Sequence, residues 1–123
     1  MKPNPSNVKR ILSHLQEVLR IQDYDITVKF VNDGQMMKYT DGENYAGLCE
    51  TDTAEETVDI LVNVEAEENS GDGWYYTLIH EVLHVVMNSL ESVKANASDN
   101  DDLWEINMEK TVNKLAKGLV NFI

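Results

Sequence analysis

The segment His80-Glu81-Val82-Leu83-His84 constrains this chain more than any other, because it matches the pattern H-E-x-x-H. Residues four apart on a helix lie one above the other, about 6 Å apart along the axis, so both imidazole rings can reach one ion. The glutamate beside the first histidine can then act as a general base on water at that ion. The segment therefore predicts two metal ligands, His80 and His84, and one catalytic group, Glu81.

The residues around this motif predict a buried helix from Trp74 to Leu90. This stretch contains no Pro or Gly, follows Asp72 as a candidate N-cap, and is apolar on almost every side. Two imidazoles and a carboxylate are costly to bury there without partners, and a metal ion would supply one. The alternative is a buried helix with two hydrogen-bonded histidines and an exposed Glu81.

The histidines of the chain do not supply a third ligand in the usual extended pattern. A catalytic zinc ion usually has three protein ligands and one open position. In H-E-x-x-H-x-x-G-x-x-H the glycine and third histidine would fall at Met87 and Leu90 of this chain. His14 lies among leucines of the first helix, where a surface or half-buried histidine is the ordinary outcome.

A carboxylate of the last helix, predicted over Leu103–Phe122, is the best candidate for the third ligand. Glu109 continues the apolar face of that helix, because positions 109, 112, 116 and 119 follow helical spacing. A carboxylate on such a face needs a reason, and a metal is a good one. Glu105 could be the ligand instead, or could hold a histidine N–H. Glu91, Asp99 or another residue remains a further candidate for this ligand. The alternative for Glu109 and Glu105 is a position on a solvated helix edge.

HEVLH on one helix and a glutamate on a later helix resemble the gluzincin kind of zincin metallopeptidase. The tail from Glu109 to Ala116 is also similar to ImmA/IrrE-type peptidases, in which the ligand glutamate stands four residues before an Asn, here Asn113. Leu115 replaces the aromatic residue of that family, and no proline follows the helix. The size and layout also resemble small single-domain zincins of phages and mobile elements. The resemblance implies zinc, a water nucleophile, peptide hydrolysis and a minimal zincin core.

The predicted elements run helix, three strands, motif helix and C-terminal helix, which indicates one α+β domain over residues 1–123. Ser6 or Asn7 is the expected cap of the first helix. A peptide could lie along an edge strand, either the second or the third, and Gly47 would permit close backbone approach or mark a bulge. The predicted bounds are Val8–Arg20 for the first helix and Tyr24–Val31, Tyr45–Thr51 and Thr57–Asn63 for the strands.

Two segments are predicted to be irregular. Residues 32–44 contain the turn signals Asp33-Gly34 and Asp41-Gly42 together with apolar side chains, which favours a partly ordered flap near the site or an extra short helix. Residues 89–102 are predicted to be a mobile link. Its Asp99–Asp102 run is expected to be solvated and to cap the last helix rather than bind a cation.

The chemistry expected from these residues is peptide hydrolysis at Zn²⁺ held by His80, His84 and Glu109. Glu81 would take a proton from water and pass it to the leaving amine. Mn²⁺, Fe²⁺ or Co²⁺ would fit similar ligands. A developing oxyanion needs one more donor, and four side chains are candidates: Tyr45, Tyr75, Tyr76 and Lys38.

The charge of the chain limits its partners. Ten Lys and Arg oppose 22 Asp and Glu, and the net charge of −12 disfavours nucleic acids and anionic membranes. A basic peptide or protein would be attracted more readily. The lone Cys49 rules out an internal disulfide. With no visible signal peptide or spanning segment, a cytoplasmic location is expected.

Three functions are consistent with these observations. The first is a zinc-dependent peptidase of narrow specificity acting on a peptide or protein. The second is a zinc-bearing protein-binding domain without turnover, and the third is a structural or interaction domain without metal. Elemental analysis separates the third from the others, and replacing Glu81 by Gln separates the first two.

Overall fold

The elements follow the predicted order, with one short helix added between the first two strands. A computed structural model of the chain describes residues 3–52, 54–95 and 101–120, with side chains for all of these except residues 89–95 and 101–107. The α+β prediction is confirmed. The helices are α1 (Pro5–Leu19), α2 (Asp33–Tyr39), α3 (Gly73–Ala95) and α4 (Asp101–Val120), and the strands are β1 (Asp25–Val31), β2 (Gly47–Asp52) and β3 (Thr57–Asn63).

The three strands form a mixed sheet with β3 in the centre. The order is β1-β3-β2, with β1 parallel and β2 antiparallel to β3. Of the two strands that the sequence allowed as an edge, β2 is the edge and β3 is the central strand. Gly47 pairs in register with Val62, so the prediction of a bulge at Gly47 is wrong.

The main core lies between one face of the sheet and helices α1, α3 and α4. Alternate residues of β3 point into it, as the period-two pattern predicts. Trp74 is 1% exposed and meets the ring of Phe30 edge-on at 6.0 Å. Burying each large apolar side chain contributes about 1.5–3 kcal/mol. The fully buried members include Leu15, Ile60, Val62, Leu78, Ile79, Val82, Val112 and Ala116.

Helix α1 begins earlier than predicted, so the expectation of Ser6 or Asn7 as its cap is wrong. Asn4 is the cap, and its side chain accepts a hydrogen bond from the Asn7 amide at 2.9 Å. Pro5 occupies the first helical position, where its missing N–H costs nothing and its fixed φ suits the helix. Pro5 therefore helps to start this helix.

Residues 33–39 form α2 rather than a flap, which confirms the alternative of a short helix. A reciprocal capping box between Asn32 and Gln35 starts this helix. Met36 is fully buried beneath it against Leu61, on the face of the sheet away from the main core. The capping box explains why Asp33-Gly34 is not a turn here.

Helix α3 continues to Ala95, so the first seven residues of the predicted link are helical. Residues 89–95 include no Pro or Gly that would end the helix. The Asp99–Asp102 run, which was expected to be solvated and to cap the last helix, lies partly in residues 96–100, outside the described residues. Within the described ranges, no helix has the length and apolar character that crossing a bilayer requires.

A buried asparagine ties the end of β3 to two other segments. The Asn63 side chain is fully buried, and its Nδ2 donates to Asp33 Oδ1 at 2.8 Å and to Asn44 Oδ1 at 2.9 Å. Its Oδ1 accepts from the Glu65 amide at 3.0 Å. Buried amides are stable only when paired, so these bonds hold residues 44–46 against the sheet.

A second buried asparagine, Asn69, ties the same segment to α3. Its Nδ2 donates to the carbonyl oxygens of Ala46 at 2.9 Å and Asn63 at 2.6 Å. The Thr77 hydroxyl, on the second turn of α3, donates to Asn69 Oδ1. The start of β2 is therefore anchored to both β3 and α3.

We expect Asn69→Ala to destabilise the chain strongly. The change removes one of the two hydrogen bonds that the Ala46 and Asn63 carbonyls each accept, and it removes the acceptor of the buried Thr77 hydroxyl. At about 1 kcal/mol for each lost bond and about 1–3 kcal/mol for the hydroxyl, the free energy of unfolding should fall by roughly 3 kcal/mol. Asn4→Ala, which removes one exposed cap, should cost about 1 kcal/mol. Urea unfolding measures both variants, and equal losses would contradict the anchoring role of Asn69.

Candidate metal centre

Helix α3 brings the two imidazole rings of the motif together. His80 and His84 lie one turn apart, with ring centroids 5.0 Å apart and their Nε2 atoms 3.3 Å apart. Their side chains are 17% and 21% exposed. Most of the described side chains of α3 are buried in the core, and the two rings lie at a partly open edge of this helix. Both rings thus present the same nitrogen to one point.

Helix α4 brings a carboxylate to that point. Glu109 Oε1 lies 3.0 Å from His84 Nε2, and its Oε2 lies 3.5 Å from His80 Nε2. The fully buried Val112 and Ala116 pack α4 into the core that it shares with α3. The Glu109 side chain is 51% exposed, so it lies at the rim of the buried face rather than within it.

The spacing of the two histidine nitrogens fits two ligands of one tetrahedral zinc ion. With metal–nitrogen and metal–oxygen distances near 2.0–2.2 Å, tetrahedral ligand atoms lie about 3.3–3.6 Å apart. The two Nε2 atoms are 3.3 Å apart, and each oxygen of the Glu109 carboxylate lies against one ring, at 3.0 Å from His84 Nε2 and 3.5 Å from His80 Nε2. Two imidazole nitrogens and a carboxylate oxygen are also a ligand set that zinc accepts, leaving a fourth position for water or substrate.

A second carboxylate, Glu81, lies beside the rings but inside the protein. Its Oε2 is 4.0 Å from His80 Nε2, farther than either Glu109 contact. Glu81 is only 7% exposed, so the alternative of an exposed Glu81 is wrong. Burial, reinforced by the charge of Glu109, raises the pKa of Glu81 to about 8.

Gly47 allows the edge strand β2 to approach α3 at this carboxylate. A Cβ at position 47 would lie 2.7 Å from Thr77 Cγ2 and 2.9 Å from Glu81 Oε2. Both distances are shorter than atoms can approach without a shift of the backbone or of Glu81. The lack of a side chain at Gly47 thus lets β2 approach α3 closely and cover Glu81 on one side.

A cavity of about 320 Å³ opens next to His80 and Glu81. Of the four predicted oxyanion donors, Tyr45 and Tyr76 line it. Tyr75 packs instead edge-on against Trp74, and Lys38 lines a separate cavity beside α2. The structure thus leaves two tyrosines beside the site.

Asn113 links two residues of the site, a role that the sequence reasoning missed. The Tyr76 hydroxyl donates to Asn113 Oδ1 at 3.1 Å. A hydrogen bond from His80 to Asn113 raises the pKa of His80, as does the charge of Glu109, but burial outweighs both and lowers it overall. A lowered pKa favours the neutral imidazole that binds metals. The available signal was the four-residue spacing from Glu109, which places Asn113 on the same side of α4.

The other proposed ligands are not part of the described site. His14 is exposed on α1, as expected for an ordinary surface histidine. The side chains of Glu91 and Glu105 lie outside the described residues, and so does Asp99. The choice of Glu109 over Glu105 as the third ligand therefore stays a prediction, because the structure gives distances to the rings for Glu109 alone.

We expect Glu81→Gln to stabilise the metal-free chain at high pH. The Glu81 pKa rises from 4.5 to about 8 on folding. The charged carboxylate therefore destabilises the folded state fully above pH 8, and this cost is absent below pH 4.5, where the group is protonated in both states. Between these values the wild type should lose a few kcal/mol relative to the variant, at about 1.4 kcal/mol for each pKa unit. Urea unfolding with a chelator from pH 4 to 9 measures the difference. The exposed Glu50→Gln is the control, and parallel profiles for wild type and Glu81→Gln would contradict the burial of a charge.

The described residues include one group of side chains spaced to hold a metal ion, His80, Glu81 and His84, whose donor atoms lie within 4.8 Å of one another. Glu109 approaches the same two rings more closely than Glu81 does. Comparison of the chain with known protein families, with curated proteins and with solved structures gave no match.

Proposed function

We propose that this protein is a zinc-dependent peptidase whose metal ligands are His80, His84 and Glu109 and whose general base is Glu81. The observation that carries the proposal is the donor geometry. The two imidazole nitrogens lie 3.3 Å apart, the two oxygens of the Glu109 carboxylate lie 3.0 and 3.5 Å from them, and the buried carboxylate of Glu81 borders the same point.

The residues of the site divide between binding and proton transfer. When bound, zinc lowers the pKa of water toward about 7 and polarises a carbonyl oxygen. Glu81 accepts a proton from the attacking water and donates it to the leaving amine nitrogen. Burial raises the pKa of Glu81 to about 8 in the metal-free protein, and a zinc ion beside it would lower that pKa and so favour the carboxylate that accepts the proton. Asn113, bonded to His80 and Tyr76, orients the first imidazole.

The edge strand β2 is the proposed support for the substrate backbone. Its inner side pairs with β3, and no described strand lies on its outer side. An extended peptide could add to that outer side through backbone hydrogen bonds. Because Gly47 at the start of β2 approaches Glu81, such a peptide would pass close to the general base.

The resemblance to gluzincin-type and ImmA/IrrE-type peptidases agrees with this proposal. The motif helix supplies His80 and His84, a later helix supplies Glu109, and Asn113 stands four residues after it. The competing function is a zinc-bearing binding domain without turnover. Both functions use the same ligands, so they differ only in what Glu81 does.

We expect Glu109→Gln to lower zinc affinity by more than the roughly 10–100-fold that an outer-shell change causes, because it removes a charged ligand. Isothermal titration with zinc measures the constant. Glu105→Gln, one turn earlier on α4, is the matched control and should lower affinity much less. The opposite ranking of these two variants would identify Glu105 as the ligand.

We expect Glu81→Gln to abolish hydrolysis while zinc stays bound, because the amide cannot accept the proton from water. The loss in rate should be about 10²–10⁴-fold, the usual contribution of a general base. Mass spectrometry of a synthetic mixed-sequence peptide library, incubated with zinc-loaded protein, measures cleavage, and elemental analysis measures zinc. Wild-type protein that binds zinc but cleaves nothing would favour the binding domain without turnover, and equal cleavage by both proteins would overturn the mechanism.

A further inference from the structure

We propose that the cavity beside His80 and Glu81 binds a lysine or arginine side chain of a peptide, and that Glu68 is its specificity-determining carboxylate. This inference rests on the proposed peptidase function, because it names the substrate class of the same site. The bound side chain would belong to a residue next to the cleaved bond, since the cavity borders the proposed ligand His80 and the proposed general base Glu81.

The acidic groups of the cavity lining are Glu68 and the buried Glu81, and its described lining contains no lysine or arginine. An acidic substrate side chain would meet the carboxylate of Glu68, and an apolar one would cover that carboxylate without pairing it. A cationic side chain is the type that these walls accept.

Two aromatic rings complete the walls. Tyr45 and Tyr76 both line the cavity. Tyr45 lies two residues before β2, and Tyr76 lies in the first turn of α3. The Tyr45 hydroxyl donates to the carboxylate of Glu43, which fixes the orientation of this ring. Ammonium and guanidinium groups bind favourably over tyrosine rings, so the rings and the carboxylates favour the same ligand.

The buried carboxyl of Glu81 independently indicates a polar ligand in this cavity. Its side chain is 10% exposed, and its Oε2 lies 4.0 Å from His80 Nε2, beyond hydrogen-bond distance. No hydrogen bond from the described residues satisfies it. A buried polar group in this state is costly, and it is satisfied when a polar ligand enters.

The fold holds Glu68 in a defined place. Glu68 lies in the short 3₁₀ turn Glu67–Asn69, immediately before the buried Asn69 that bonds Ala46 and Asn63. Its backbone also contacts the start of α3, where a Cβ on Gly73 would lie 1.9 Å from the Glu68 carbonyl oxygen. Glu68 is therefore placed by the same anchors that place the start of β2.

The test measures binding separately from cleavage. Zinc-loaded and metal-free Glu81→Gln protein is titrated with blocked pentapeptides Ala-Ala-Xaa-Ala-Ala, in which Xaa is Lys, Arg, Leu or Glu. We expect the Lys and Arg peptides to bind about tenfold more tightly than the Leu peptide, and the Glu peptide to bind most weakly. No advantage for Lys or Arg, including no measurable binding of any peptide, would overturn the proposal.

Two further variants in the same background assign the effect to Glu68. Glu68→Gln should reduce the Lys-to-Leu affinity ratio to near one, and Glu68→Lys should reverse it. Glu67→Gln, an exposed acidic neighbour that does not line the cavity, should keep the wild-type ratio. An unchanged ratio in Glu68→Lys would overturn the role of Glu68. Binding is measured without turnover, so the two proposals can fail separately. If the Glu81→Gln protein selects the Lys peptide but zinc-loaded wild-type protein cleaves nothing, the peptidase proposal is refuted and the cavity assignment is kept.

Discussion

The close contact between β2 and α3 at Gly47 is the constraint on which the site depends. A side chain at this position would occupy the space of Thr77 and Glu81. Its absence lets the edge strand cover Glu81, and that cover removes the carboxyl from water and raises its pKa to about 8. The same contact places the free side of β2 beside the proposed general base. One glycine thus sets both the electrostatics of Glu81 and the proposed path of the substrate.

This contact is maintained by buried amides rather than by apolar packing alone. Asn63 and Asn69 bond the residues just before β2, and Thr77 closes the network on α3. Such a network is stable only when all its members are paired, so it admits one arrangement of the three segments. Hydrogen bonds are directional, so they restrict the sliding of these segments more than apolar contacts do. Polar groups in the interior therefore fix the segments that border the proposed catalytic centre.

The parts of the fold that depend on local patterns could be predicted from the sequence. Strand β3 was predicted over the observed residues, because the alternation of Val58, Ile60 and Val62 with residues of the opposite face is typical of a strand. The start of α1 was missed because Pro5 reads equally well as a break and as a first helical residue. Helix α2 remained an alternative because its capping box competes with a turn signal at Asp33-Gly34.

The sequence by itself determined which groups are available: two imidazoles at helical spacing, a carboxylate between them, and acidic candidates on a later helix. It could do so because helical periodicity is a property of a short segment. Only the tertiary structure decided which groups meet. The approach of Glu109 to both rings, of Gly47 to Glu81, and of Asn113 to His80 joins segments that are distant in the chain. Such distances follow from how helices and strands pack around a common core, and no local pattern encodes them.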